Sequence, residues 1–263
     1  MKLPTRIVEK PWGRRDLPAP FRNPGTEAVG EIWFEPPPEL AQVLVKYLFT
    51  SEKLSVQVHP SDAQAPQGQR GKEECWLVLD AEPGATLGIG LKQAIAPEAM
   101  RAAALDGSIE GELEWHPVGP GDFFYLPAGT VHAIGPGLTL VEVQQNSDIT
   151  YRLFDYGRPR ELHLDRGIAV AKGEPYPRTC RQKVTPEESI TLVNGPFFRL
   201  SQCSGRPGPE LCAIHSGAVM ALPLAGSVEI ARQAVSAGEC ALAASLGEID
   251  FAEAERVLLV SAA

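Results

Sequence analysis

The sequence predicts a mainly β protein: a β-barrel interrupted by a small helical insertion, followed by a second, smaller barrel or sandwich. Three observations carry this expectation. Short apolar runs recur along the chain, each bounded by turn residues. Twenty-five Gly and twenty-four Pro are spread over 263 residues rather than clustered, which suits tight turns between strands. One Ala-rich segment breaks the pattern, with Pro97 near its start and Asp106-Gly107 at its end, the signature of a short helix.

Residues 40–49 read as a strand and 54–58 as another, and the polar, turn-rich stretch 60–71 reads as a loop. Residues 75–80 and 85–91 form a strand pair around Pro83-Gly84. The helical insertion occupies about 93–114, with a further turn of helix after Gly107. Strand character returns at 115–118, 123–126 and 138–144. Residues 173–188 are Pro-rich and charged, a linker that would divide a first domain, 1–172, from a second, 189–263. Apolar runs then resume at 190–193, 197–200, 211–214, 219–222, 228–231 and 257–260.

Composition narrows the functional classes. A net charge of −9 argues against a nucleic-acid partner, which needs a basic face. It leaves room for a phosphorylated small molecule, because a local Arg cluster binds phosphate on an acidic protein. Arg152, Arg158, Arg160 and Arg166 form such a local series, although each also suits a solvated surface. Five cysteines without Cys-x-x-Cys spacing suggest neither a disulfide framework nor a thiolate metal site. No stretch approaches the ~18 apolar residues of a membrane span, and the N-terminus lacks an apolar signal region. A cytoplasmic protein without a membrane partner, monomeric or weakly dimeric, is expected.

The chemistry concentrates in two runs. Gly121-Asp-Phe-Phe-Tyr-Leu-Pro127-Ala-Gly129-Thr-Val-His132 breaks the chain around a short apolar strand and delivers a histidine just past the turn. Upstream, Leu54-Ser-Val-Gln57-Val-His59-Pro60 places Gln57 and His59 two residues apart, on one face of a strand. An acid from Gly71-Lys-Glu-Glu74-Cys-Trp76, either Glu73 or Glu74, would complete a mixed N/O site for a divalent metal. Glu142 is the other conspicuous residue. It interrupts an apolar strand, and an acid there must be paired, solvated or functional. His116 and His163 stand in no motif and are expected at the surface. His215, the only histidine of the second half, is expected at the surface or in a turn, and no Pro-x-Gly-x2-His follows Gly238–Ser245. The second half is therefore expected to be metal-free and structural.

The Gly121–His132 run resembles the second signature motif of the cupin superfamily. The departure of the first motif, Gln57-x-His59 in place of His-x-His, resembles the type I phosphomannose isomerases. Lys10-Pro-Trp12-Gly13, Gly30-Glu-Ile-Trp33, Leu44-Val-Lys46 and the segment from Val143 through Asp148, Arg152 and Asp155 to Arg158 are similar to that family as well, so the resemblance covers roughly residues 5 to 170. It implies two cupin-like jelly-roll barrels, the second degenerate. It implies one zinc ion per chain on Gln57, His59, Glu74 and His132, with Fe(II), Mn(II) or Co(II) able to bind the same groups. The Lys-x-Glu match selects Glu74 over Glu73. Arg152, Glu142 and Lys72 would be catalytic, and Ser55, Lys72 and Arg152 would face the substrate. The activity implied is interconversion of D-mannose 6-phosphate and D-fructose 6-phosphate. The alternative is a non-catalytic, metal-containing cupin that binds sugar phosphates.

Overall fold

The computed structural model describes residues 1–263. The first half builds two antiparallel sheets. One contains, in spatial order, β1 (Thr5–Arg14), β2 (Val29–Phe34), β3 (Val43–Phe49), β10 (Leu138–Gln145), β5 (Glu74–Ala81), β8 (Asp122–Leu126) and β12 (Arg181–Lys183). The other contains β11 (Tyr151–Phe154), β4 (Val56–Val58), β9 (His132–Ile134), β6 (Thr86–Leu91) and β7 (Leu113–Pro117). The second half forms a further sheet from β13 (Ile190–Asn194), β14 (Phe198–Cys203), β19 (Ala254–Ala262), β15 (Val219–Ile230) and β16 (Gln233–Ser236), with β17 (Ala241–Ala243) and β18 (Ile249–Asp250) pairing β15. The protein is thus mainly β, but no sheet closes on itself. The expected barrels are open, packed sheets.

Side-chain alternation explains the layering. Leu48, Trp76, Val78, Leu138 and Leu140 of the seven-stranded sheet meet Leu87, Ile89 and Ile134 of the five-stranded sheet in one core. On the opposite face of the seven-stranded sheet, Val45, Tyr47, Leu77, Val141 and Val143 pack on Phe198, Leu200, Met220, Leu222, Leu258 and Val260 of the second half. Strands β3, β5 and β10 are therefore covered on both sides, which is why they read as continuous apolar runs. The outer face of the five-stranded sheet, Val56, Val58, Ala133 and Leu153, is covered by α1 (Pro97–Asp106), α2 (Ile109–Glu112) and α3 (Leu164–Val170). Pro97 occupies the first turn of α1, and Gly107 at φ +84° ends it in the left-handed conformation. No helix is long and apolar enough to cross a membrane.

Three local expectations differ from the structure. Residues 211–214 lie in α4 (Pro209–Ile214) rather than in a strand, because Pro209 sits at the first helical position and only Leu211 is buried. Within 173–188, the stretch read as a linker, Tyr176 is buried and Arg181–Lys183 pairs with β8, so this segment extends the first half's sheet. His116 and His215 are buried, not at the surface. The His116 ring lies between the Ile89 carbonyl and Arg181, and both ring nitrogens of His215 meet serine hydroxyls, Ser261 at 2.8 Å and Ser201 at 2.9 Å. An amphipathic ring with two hydrogen-bond partners is at home inside, and periodicity in a single short run does not reveal the partners.

Burial, reinforced by Arg199, lowers the His215 pKa to about 4 from its ordinary 6.5. The unfolded chain then takes up a proton before the folded one does. Stability should be complete above pH 6.5 and fall as the pH drops toward 4, by roughly 3 kcal/mol at the limit. Urea midpoints between pH 7 and 4.5 should show a shallower decline for His215→Gln than for the parent. Equal slopes would mean that His215 does not titrate as placed.

Candidate active site

The two sheets bring the motif residues together through strand register. Gln57 of β4 pairs with His132 of β9, and Arg152 of β11 pairs with Gln57 on the other side. All three alternate with residues buried against the helices (Val56, Val58, Val131, Ala133, Tyr151, Leu153), so they face the space between the sheets. From the opposite sheet, Glu142 of β10 pairs with Lys46 of β3 and with Trp76 of β5, and Glu74 pairs with Gln144. Gly129, at φ +85°, donates its N–H to the His59 carbonyl at 2.8 Å, which ties the turn before His132 to the end of β4. Gly71 permits a second close approach. A Cβ there would lie 2.4 Å from the backbone of Ser61, so only glycine lets the loop after His59 pack beside Lys72.

His59, Glu74 and His132 form the floor, all fully buried, with candidate ligand atoms within 4.8 Å of one another. His59 Nδ1 donates to the Ile149 carbonyl and His132 Nδ1 to the Thr130 carbonyl, each at 2.8 Å. These bonds assign the tautomers and leave both Nε2 lone pairs pointing inward. Glu74 Oε1 lies 3.4 Å from His132 Nε2, and Oε2 lies 3.5 Å from His59 Nε2. Glu74 Oε1 has no hydrogen-bond donor in the protein, although it is sealed from solvent. The Lys72 ammonium approaches Oε2 at 2.6 Å and His59 Nε2 at 3.2 Å. Burial lowers the pKa of His59, helped by Lys72, and that of His132, against Glu74, so both rings are neutral. Burial would raise Glu74, but the ammonium groups of Lys72 and, farther off, Lys46 outweigh it and hold it below its ordinary value. Two neutral imidazoles and a carboxylate, with an unpaired buried oxygen among them, are the donor set of a divalent metal. Gln57 adjoins the triad. Its Nε2 faces His132 Nε2 at 3.3 Å, while its Oε1 accepts from Ser55 at 3.2 Å. Turning the amide by 180° would present the oxygen to the triad and keep a hydrogen bond to Ser55.

Above the floor lies a polar pocket of about 830 Å³, lined among others by Ser55, Gln57, Lys72, Glu142 and Arg152. His59, Glu74 and His132 are not part of this lining; they lie behind it, in contact with Gln57 and Lys72. Glu73 turns away and accepts from the Tyr125 hydroxyl. Lys46, to which the sequence reading gave no role, also lines the pocket, 2.9 Å from Glu142 and 3.8 Å from Glu31. Burial pulls its ammonium down, but Glu142, Glu31 and Glu74 more than offset this and raise its pKa above the ordinary value. Its signal was legible: a lysine in the apolar run Val43–Phe49, as anomalous as Glu142 in its own strand. Trp76 Nε1 donates to the other Glu142 oxygen at 3.1 Å. His163, expected at the surface, is half-buried and also lines the pocket.

Facing antiparallel sheets with a buried His–Glu–His cluster beside a polar pocket define the class: a mainly β protein with a candidate divalent-metal site. Comparison with known proteins narrows this. The chain is 41% identical to the mannose-6-phosphate isomerase of Streptococcus mutans over 166 residues, 59% of this chain and 52% of that protein. It spans about half the length of the curated relatives it matches. Among solved structures, the mannose 6-phosphate isomerase of Bacillus subtilis superposes with a TM-score of 0.77 at 22% identity, covering 99% of this chain and 98% of that one. A zinc-bound mannose 6-phosphate isomerase superposes with a TM-score of 0.73 at 15% identity, covering 99% and 98%. No family model matches the chain. These comparisons bear out the resemblance to phosphomannose isomerases read from the motifs, and the structures show that the fold is shared.

His132→Ala should abolish stoichiometric binding of a divalent ion, because Glu74 and one imidazole hold it poorly without the second ring. Elemental analysis after dialysis checks this, with circular dichroism confirming the fold. One ion per chain retained by the folded variant would refute the site.

Proposed function

We propose that the protein is a metal-dependent aldose–ketose isomerase that interconverts D-mannose 6-phosphate and D-fructose 6-phosphate, with one zinc ion per chain on Gln57, His59, Glu74 and His132. The observation that carries this reading is the donorless, buried Glu74 oxygen between two inward-facing imidazole lone pairs, behind the Gln57 and Lys72 lining of a polar pocket. The mannose-6-phosphate isomerase relative and the zinc-bound neighbour of the same fold support both the substrate and the metal. When bound, zinc would supply positive charge against the oxygen charge that develops at C1 and C2.

The protein's own groups account for the proton traffic. The C2–H bond breaks and its proton passes to Glu142, whose carboxylate faces the pocket and is oriented by Trp76 and Lys46. The electron pair forms the C1–C2 double bond of an enediolate, and the Lys72 ammonium, 3.5 Å from Glu142, donates to the oxyanion. The O2 proton moves to O1, and Glu142 returns its proton to C1, which leaves the ketone at C2. Ser55 and Arg152 bind substrate oxygens from the pocket wall. Five free thiols, three of them buried, suit a reducing cytoplasm. We read the protein as a monomer or weak homodimer without nucleic-acid or membrane partners.

Mannose 6-phosphate turnover should stop on chelation and return with added Zn²⁺. Glu142→Gln should keep its zinc and lose roughly 10²–10⁴-fold in kcat, the usual contribution of a general base. Full turnover after metal removal, or a wild-type rate in Glu142→Gln, would reject the mechanism. Tight sugar-phosphate binding without turnover in the parent would point instead to the non-catalytic cupin.

A further inference from the structure

The pocket wall that runs from β11 into the following chain gathers basic side chains, with the exposed Glu161 carboxylate 3.8 Å from His163 Nε2. Arg152, Arg160 and His163 all line the pocket. Arg152 has no carboxylate within 4 Å, and its only side-chain hydrogen bond is from Nη1 to the Glu161 carbonyl at 3.3 Å. Burial and the neighbouring Arg160 charge both push the Arg152 pKa down, which places the two guanidinium groups within each other's field. Arg160 is held from behind. Its Nε and Nη2 donate to the two oxygens of buried Asp155 at 2.5 and 2.6 Å, and Asp155 also faces Arg158 at 3.7 Å. Asp155 thus pairs directly with two arginines, and Arg152, without an ion pair of its own, feels Asp155 and Glu161 only at longer range. Among the pocket acids, Glu31 and Glu142 are engaged by Lys46, and Asp148 forms no ion pair.

His163 adds a donor of fixed direction. The Arg152 main-chain N–H donates to His163 Nδ1 at 3.2 Å, so the neutral ring carries its proton on Nε2. Burial, then Arg152, hold its pKa below the ordinary value. Two adjacent guanidinium groups repel each other and lose hydration when they line a pocket, unless an anion lies between them. Forked donors match the oxygens of a phosphate group.

We propose that Arg160 and His163, together with Arg152, form the subsite for the phosphate dianion of the substrate, and that Asp155 is the positioning residue that aims Arg160 into the pocket. The proposal rests on the reading of this pocket as a sugar-phosphate site. It assigns to the segment 152–163 the discrimination between phosphorylated and free sugars, and leaves the proton transfer to groups on the opposite sheet.

The test uses the metal-loaded full chain and D-glucitol 6-phosphate, which carries the phosphate but has no carbonyl to isomerise. Arg160→Gln should weaken its binding in calorimetry, and raise KM for mannose 6-phosphate, by roughly tenfold to a hundredfold, the loss of charge-assisted hydrogen bonds. Turnover at saturation should be little changed. Arg160→Lys should recover part of the affinity, since it restores the charge but not the fork. Asp155→Asn should shift KM in the same direction as Arg160→Gln. Unchanged glucitol 6-phosphate affinity in folded Arg160→Gln, or a fall in kcat at constant KM, would overturn the subsite. A parent protein without turnover, whose glucitol 6-phosphate binding still depends on Arg160, would sink the isomerase reading and leave the subsite standing.

Discussion

Glu74 is 1% exposed, and a carboxylate can be kept at such depth only where cations or polarised donors surround it. Lys72 supplies one charge, and the two imidazoles turn lone pairs, not protons, toward it. The protein therefore leaves one carboxylate oxygen without a donor in its interior, a cost of about 1–3 kcal/mol or more for a charged group. Much of the surrounding structure maintains that arrangement. The Ile149 and Thr130 carbonyls set the tautomers, Gly129 fastens the His132 turn to His59, and Gly71 brings the loop after His59 against the strand that carries Lys72 and Glu74.

The floor needs rigid sheets beneath it, and the second half of the chain supplies the backing. Strands β3, β5 and β10 present Lys46, Glu74 and Glu142 on one face and Val45, Tyr47, Cys75, Leu77, Val141 and Val143 on the other. That second face is apolar and continuous with Leu200, Leu222, Leu258 and Val260. Removing the second half would leave it in water, so the two halves stabilise one another through a common core. The same layering gives the pocket its division of labour. The backed sheet holds the buried Glu142–Lys46–Glu31 chain, and the five-stranded sheet, with the segment after β11, carries Arg152 and Arg160 at the wall.

Much of this was legible in the sequence because its signals are local. The His132 run combines a strand, a turn glycine and a ligand within twelve residues, and the Gln57–His59 spacing follows from a two-residue period. Glu142 stands out as an acid in an apolar strand, and Lys46 carries the same signal in β3. Other features depend on contacts that no local pattern encodes. Strand β1 is half-polar, because it is an edge strand along the pocket rim. Residues 181–183 became a strand only because the edge of β8 was free to receive them. His215 and His116 are buried because hydroxyls and a carbonyl reach them from distant strands. Arg160 could be seen as one of a basic series, but its selection from that series comes from Asp155, whose burial appears only in the fold.

The central claim is that a divalent ion sits between His59, Glu74 and His132, and it can be tested without any assay of activity. Crystals of the zinc-loaded protein, measured on both sides of the zinc absorption edge, would locate the ion by its anomalous scattering. One strong peak per chain is expected, about 2.0–2.2 Å from His59 Nε2, His132 Nε2 and a Glu74 oxygen. A peak at another site, or none at this floor in zinc-saturated crystals, would contradict it.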